Sequence, residues 1–359
     1  MQGKYTLSYY FLNKDVASRL LSNCHKIIVA VILFSCMIIS CTPHQEKHSA
    51  SSGQFAALKS SAARAARLTA SNPDSALAIY YFIVGQFDHR MDDSCRTVVA
   101  NACLDASSLL VGRYNYTEAM SLLAQGLSIC SSLNNPLLEV RMLNNYATIH
   151  LLNQNFAFAE HIYNKANQKL RGIGDKNIHS KMLANLITVN VYLGQAQRAR
   201  YYLKQYKALD VHTQQYLYNR ILLEGCVWRA WGDYQRSVSR LRQARQYAIS
   251  RSLPAEYECD ALKELANTYH TAGDTTQYVV TLQQLYDIAL EKNVEDEQLY
   301  ALRILSVHYD YIGDRAKADA LYARTERLSR KIFNPTDFNR INGYYGPKGD
   351  CPWQADAAA

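Results

Sequence analysis

Residues Ile221 to Ala244 read ILLEGCVWRAWGDYQRSVSRLRQA. Ile221 and Gly225 stand four apart, which puts both on one face of a helix. Gly232 then interrupts the run; glycine adopts the left-handed backbone that ends helices. Five residues later comes a small residue, Ser237, and four beyond that the large apolar Leu241, again on a shared helical face. The stretch therefore predicts two helices folded back on each other at Gly232.

The same pattern recurs along the chain. The small position is filled by Ala119, Ala159, Ala199, Ser237, Tyr278 and Ala318, at spacings of 40, 40, 38, 41 and 40. Its partner four residues on is Leu123, Tyr163, Leu203, Leu241, Leu282 and Tyr322. The turn column holds Gly194, Gly232, Gly273 and Gly313, with Gln154 one copy earlier, where a flanking Asn153 or Asn155 is expected to take the left-handed conformation. First helices repeat as well, with Leu143, Leu183, Ile221, Leu262 and Leu302 in one column. Four residues after each stand Ala147, Ile187, Gly225, Ala266 and Ser306. A degenerate copy precedes these, with Asn72 as the cap of a helix that has Pro73 in its first turn. Alternating strand patterns are scarce, so the fold is expected to be all-α.

The columns Gly225, Trp228, Gly232, Tyr234, Ser237, Leu241 and Ala244 resemble the tetratricopeptide repeat (TPR). Leu262-Leu265-Ala266-Tyr269-Gly273 and Leu302-Leu305-Tyr309-Gly313-Ala318-Tyr322 resemble it too. The period of about forty exceeds the family's usual 34 or so. The resemblance implies a right-handed superhelical solenoid of about seven helical hairpins over residues 54–333, with the first helix of each pair lining a groove. By the family's register that groove carries Arg141, Asn144, Lys181, Tyr192 and Arg229, then Lys263, Asn267, His270 and Arg303. Such a lining is polar and mildly basic. Lys263 and Asn267 resemble part of a clamp for a C-terminal carboxylate, left incomplete by Val307 in the next repeat.

The N-terminus reads as an address. Ile27 to Ser40, IIVAVILFSCMIIS, is apolar, preceded by Lys26 and followed by the polar Thr42-Pro43-His44-Gln45. That run is too short to span a bilayer, which takes about twenty residues, and it fits the apolar region of a cleaved signal. Ile38-Ile39-Ser40-Cys41 resembles the bacterial lipobox, which implies lipidation at Cys41. Leu33 to Cys36 offers a competing box, and the polarity after Cys41 favours the later one. Residues 1–40 are thus expected to be a lipoprotein signal peptide and residues 41–53 a lipidated cysteine with a flexible tether. Residues 334–359 abandon the period and form an irregular tail; Phe338, Tyr344, Tyr345 or Trp353 folding back as a cap on the last hairpin and a disordered tail are the two readings its composition leaves open.

The 359 residues are 48% hydrophobic and 19% charged, with 27 Tyr and a net charge of +8. The charge is diffuse, and the Arg236–Arg251 cluster reads as a solvated face, so nucleic acid is not an expected partner. No metalloprotease motif, phosphate loop, dinucleotide fingerprint or serine elbow occurs, and no nucleophile pairs with a base. The chain is expected to be no enzyme, with no cofactor and no metal. Cys95 or Cys103 against Cys130 leaves one disulfide open, although helical cores use cysteine as a small apolar residue. The implied function is a protein-interaction scaffold or adaptor, lipid-anchored in the envelope of a Gram-negative bacterium at the outer membrane. Its partner would be another exported or envelope protein or peptide. The alternative is a lipoprotein that binds a peptide or glycan ligand.

Overall fold

In the computed structural model, residues 47–332 are described. The lipidation candidate Cys41, the segment before it and the four candidate capping aromatics of the tail lie outside them. Fourteen helices follow one another among the described residues, as seven hairpins. They are α1 (Lys47–Leu68) with α2 (Pro73–Gly85), α3 (Asp93–Gly112) with α4 (Tyr116–Cys130), and α5 (Pro136–Leu152) with α6 (Phe156–Leu170). Next come α7 (Lys176–Tyr192) with α8 (Ala196–Lys207), and α9 (Gln214–Ala230) with α10 (Tyr234–Ser250). The series closes with α11 (Ala255–Thr271) and α12 (Thr275–Glu291), then α13 (Glu295–Tyr311) and α14 (Arg315–Ile332). α1 begins at Lys47, inside the segment whose small polar composition suggested a flexible tether. Its Ala, Gln and Lys content supports helix once Phe55 and Leu58 pack on the body.

Each turn is built by two neighbouring residues with different jobs. Gly194, Gly232, Gly273 and Gly313 take φ between 67 and 82°, and the residue after three of them, Asp233, Asp274 or Asp314, caps the second helix. Asp233 accepts from the Arg236 amide at 3.0 Å, Asp274 from Gln277 at 3.0 Å and Asp314 from Lys317 at 3.2 Å. Those same aspartates return their own N–H groups to the first helix, as Asp233 does to the Trp228 carbonyl at 3.0 Å. In the two earlier turns the left-handed residue is not asparagine. Gln154 itself has φ 60°, as does Tyr114 in the copy before it. Asn155 instead returns its N–H to the His150 carbonyl, a position that the turn geometry requires to have ordinary φ.

The repeated columns form the core. Ala119, Ala159, Ala199, Ser237 and Ala318 are buried, as are Leu123, Tyr163, Leu241 and Leu282. Burying each such leucine contributes about 1.5–3 kcal/mol. Small groups permit close helix approach: at Gly225 an added Cβ would lie 2.6 Å from Leu241 Cγ. Tyrosines keep a polar handle within this core. Tyr163 is fully buried with its hydroxyl 2.9 Å from that of Thr148, and Tyr206 stacks on Tyr216 with ring centroids 4.6 Å apart. Asn72 caps α2 through the Ser75 amide at 3.0 Å, as the Asn-Pro start predicts. Cys95, Cys103 and Cys130 are free, buried thiols. Burial pushes Cys103 up to about 12 and Cys130 to about 11.

Candidate partner-binding groove

The first helices α5, α7, α9, α11 and α13 carry the residues assigned to the groove, and the structure divides them into three groups. The first is a polar row. Asn185 on α7 donates to the Asn144 carboxamide on α5 at 2.9 Å. Asn145 beside it donates to Ser108 on α3 at 3.0 Å. Three consecutive first helices are thus joined by amides and a hydroxyl on partly exposed positions. Burial raises the pKa of Asp105, and Arg141, exposed one turn before Asn144, offsets only part of that rise. Lys181 is exposed on α7.

The second group is a charged cluster. Arg229 on α9 is buried and pairs with Glu264 on α11 at 2.6 Å, while its guanidinium also donates to the Glu264 carbonyl at 3.1 Å. Lys263 donates to Glu297 on α13 at 2.5 Å, lies 3.7 Å from Asp260 and sits over the Tyr300 ring. Tyr192 stacks on Phe156 with the rings 7° from parallel. It stays 45% exposed, yet the Glu264 charge, followed by burial, holds its hydroxyl well above the usual phenol range.

Burial disfavours charge on Glu264, but the nearby Arg229 outweighs it, so the carboxyl lies below its usual range. Arg229 is held up in turn: burial lowers it and Glu264 more than compensates. Asp260 has less help. Burial, only partly offset by Lys263 and reinforced by Glu297 and Glu264, pushes it up to about 6. Its side chain is 46% exposed, so solvent screens part of that effect. The cluster opposes three carboxylates to two cations. The mildly basic lining expected from the sequence is therefore corrected: Arg229 and Lys263 are neutralised by acids on the next first helix.

The third group serves the chain itself. Asn267 accepts from the Tyr300 hydroxyl at 3.2 Å, and Arg303 donates to Ser329 on α14 at 3.4 Å. His270 rests against Tyr278 on α12 with ring centroids 4.9 Å apart, and burial lowers its pKa. The carboxylate-clamp arrangement of Lys263 and Asn267 is occupied from within, by Glu297 and Tyr300. The residues missed at first, Glu264, Glu297 and Asn185, bear a legible signal. Asn144 and Asn185 are 41 positions apart, and Lys263 and Glu297 are 34 apart, both near one repeat.

His150 and Asn190 are packing groups. His150 sits edge-on between Tyr146 and Phe158, and buried Asn190 donates to the Leu186 carbonyl at 2.8 Å. Among the described residues no cluster of His, Cys, Asp and Glu is placed to hold a metal ion, and no helix is long and apolar enough to cross a membrane.

Fourteen helices in seven hairpins with a recurring glycine turn define a TPR-like helical solenoid. Solved structures agree on the fold. A Rap protein complexed with competence and sporulation factor is similar at a TM-score of 0.54 and 18% identity, over 84% of this chain and 85% of that one. The apo form of RapI gives a TM-score of 0.55 at 12% identity, over 77% and 98% of the two chains. The apo quorum sensor NprR from B. thuringiensis gives 0.54 at 11%, over 91% and 93%. No protein-family profile and no curated protein matches the sequence.

Proposed function

We propose that the protein is a non-enzymatic adaptor that holds a peptide or an extended segment of another exported or envelope protein against its first helices. The observation that carries this reading is the amide row of Ser108, Asn145, Asn144 and Asn185 on α3, α5 and α7. Carboxamides offer both donors and acceptors, the groups an extended backbone requires. Their present partners are mostly one another, at half-exposed positions where exchange for a ligand costs little. A Rap protein of the same fold was solved with competence and sporulation factor, so such a solenoid accommodates a partner. We further propose that lipid on Cys41 tethers the body to the envelope of a Gram-negative bacterium, at the outer membrane, on the strength of the lipobox-like sequence.

Crosslinking affinity capture from host membranes tests the adaptor reading. Wild type is compared with the Asn144→Ala/Asn185→Ala variant after both are shown to be equally helical. Loss of a specifically captured partner from the variant is expected; an identical set of partners sinks the amide row as the binding surface. Replacing Cys41 with Ala is expected to release the protein from membrane fractions, and its retention there overturns the lipid anchor.

A further inference from the structure

A second surface lies on the other helices of the stack. Between α8 and α10, with α9 as its floor, runs a cavity of about 600 Å³, within the range of about 300–1,000 Å³ common to ligand sites. Its aromatic wall is Tyr201, Trp228 and Trp231, with Tyr201 59% and Trp231 43% exposed. What sets these rings apart is that the three of them line one cavity instead of being scattered over the surface.

Around the aromatics stand four cations, Arg200, Lys204, Lys207 and Arg240, and a single carboxylate, Glu224. Glu224 is already engaged twice, by Lys207 and by Arg240 Nε at 3.2 Å. Arg200 lies over the Trp231 ring at 5.5 Å, and Arg236 covers Trp228 at 4.8 Å. A guanidinium group thus covers one face of each indole and leaves the other, an arrangement that presents positive charge beside an apolar slot. A recessed slot suits a chain segment better than a flat bilayer surface does.

We propose that this cavity binds an acidic linear segment of a partner protein, seating one aromatic or large aliphatic side chain between Tyr201 and Trp231 while flanking carboxylates meet Arg200 and Lys204. Charge complementarity sets the sign of the partner, and the aromatic wall sets the anchor. The site is separate from the amide row and stands whether or not that row holds anything.

Fluorescence anisotropy with three labelled synthetic peptides tests it on the full-length protein: DEEWDED, its Gly-for-Trp counterpart DEEGDED, and the basic KKRWKKR. DEEWDED is expected to bind, more weakly as salt rises, and DEEGDED about tenfold more weakly, as loss of an anchor residue predicts. Arg200→Glu/Lys204→Glu is expected to weaken DEEWDED at least about tenfold, the size expected for reversed charge at an interface. Asn144→Ala/Asn185→Ala should bind it as wild type does, which separates this site from the groove. If the charge-reversed variant loses helicity by circular dichroism, Arg200→Gln/Lys204→Gln takes its place with the same direction of effect. The proposal is overturned if DEEWDED fails to bind, if KKRWKKR binds equally well, or if the charge variants bind like wild type. It is overturned equally if phosphatidylglycerol vesicles capture the protein through Arg200 and Lys204 more tightly than the acidic peptide does.

Discussion

The hydroxyl of Tyr114, in the turn of the second hairpin, donates to the carboxylate of Asp296 in the first turn of the seventh. Tyr114 stands in the column that four later repeats fill with glycine, and it shares their left-handed backbone at φ 60°. A side chain in that conformation costs about 1–2 kcal/mol. Asp296 is exposed, so solvent screens the contact and it returns at most about 1 kcal/mol. Burial first, and Asp296 second, hold the phenol far above its usual range, so the proton needed for the bond stays in place. The departure from glycine is thus offset in part by a contact between hairpins remote in sequence.

Gln154 carries the same φ, and among the described residues no hydrogen bond or ion pair of its side chain offsets it. Gln154→Gly is therefore expected to stabilise the protein by about 1 kcal/mol, read as a higher urea midpoint. Tyr114→Gly should gain less than Gln154→Gly, and Tyr114→Phe should lose the hydroxyl's contact alone. Equal stabilisation by the two glycine variants would falsify the compensating role of Asp296.

Arg229 and Glu264 form a buried pair whose members are 8% and 13% exposed. Removing one partner strands the other charge, so Arg229→Met is expected to cost about 3–5 kcal/mol. Arg229→Met/Glu264→Leu should recover most of that loss, because a well-packed apolar pair needs no desolvation of charge. Chemical denaturation of the two single variants and the double one checks it. A double variant as unstable as the sum of its parts would show that the residues act independently.

Periodicity made the hairpins legible because the same backbone problem, a left-handed turn, recurs where Gly232, Gly273 and Gly313 stand. It also placed the columns of Ala119 and Leu241 in the core. The partners of surface charges were harder to read. A groove register assigns Arg229 and Lys263 to a face, yet whether they meet a ligand or Glu264 and Glu297 depends on how far successive helices rotate. That rotation is fixed by packing, not by any local motif. The cavity of Trp228 and Trp231 escaped for a related reason. Trp228 looks like a repeat-column residue, and only the neighbouring α8 shows that Tyr201 and Arg200 face it across a gap.

Asp260 is pushed up to about 6 in the folded protein, above its ordinary 3.8. A carboxyl raised by folding contributes stability that is complete below its unfolded value and is lost as pH rises through the folded value. The pH window is therefore about 4 to 6, and above it the ionised Asp260 opposes folding. Asp260→Asn is expected to raise Tm by about 1–3 °C at pH 8, a modest shift for a half-exposed group. The difference between variant and wild type should vanish near pH 4. A variant less stable than wild type at pH 8 would mean that the Lys263 contact outweighs the repulsion from Glu297 and Glu264.

At Gly225 a first helix closely approaches its second. A Cβ there would meet Leu241 Cγ at 2.6 Å and Cδ2 at 2.7 Å, and Leu241 is fully buried, so it cannot swing out into solvent. Gly225→Ala is therefore expected to destabilise by about 1–3 kcal/mol, despite alanine's better helix propensity. Gly85, also helical, has nothing within 4 Å of an added Cβ. There the same change should stabilise by about 0.5–1 kcal/mol through reduced chain entropy. Leu241→Ala opens a cavity and costs about 2–5 kcal/mol alone. Combined with Gly225→Ala it should cost less than the sum, because the new methyl occupies part of the space that leucine leaves. Strict additivity of the two changes would place Leu241 out of contact with position 225 and require another cause for the glycine in that column.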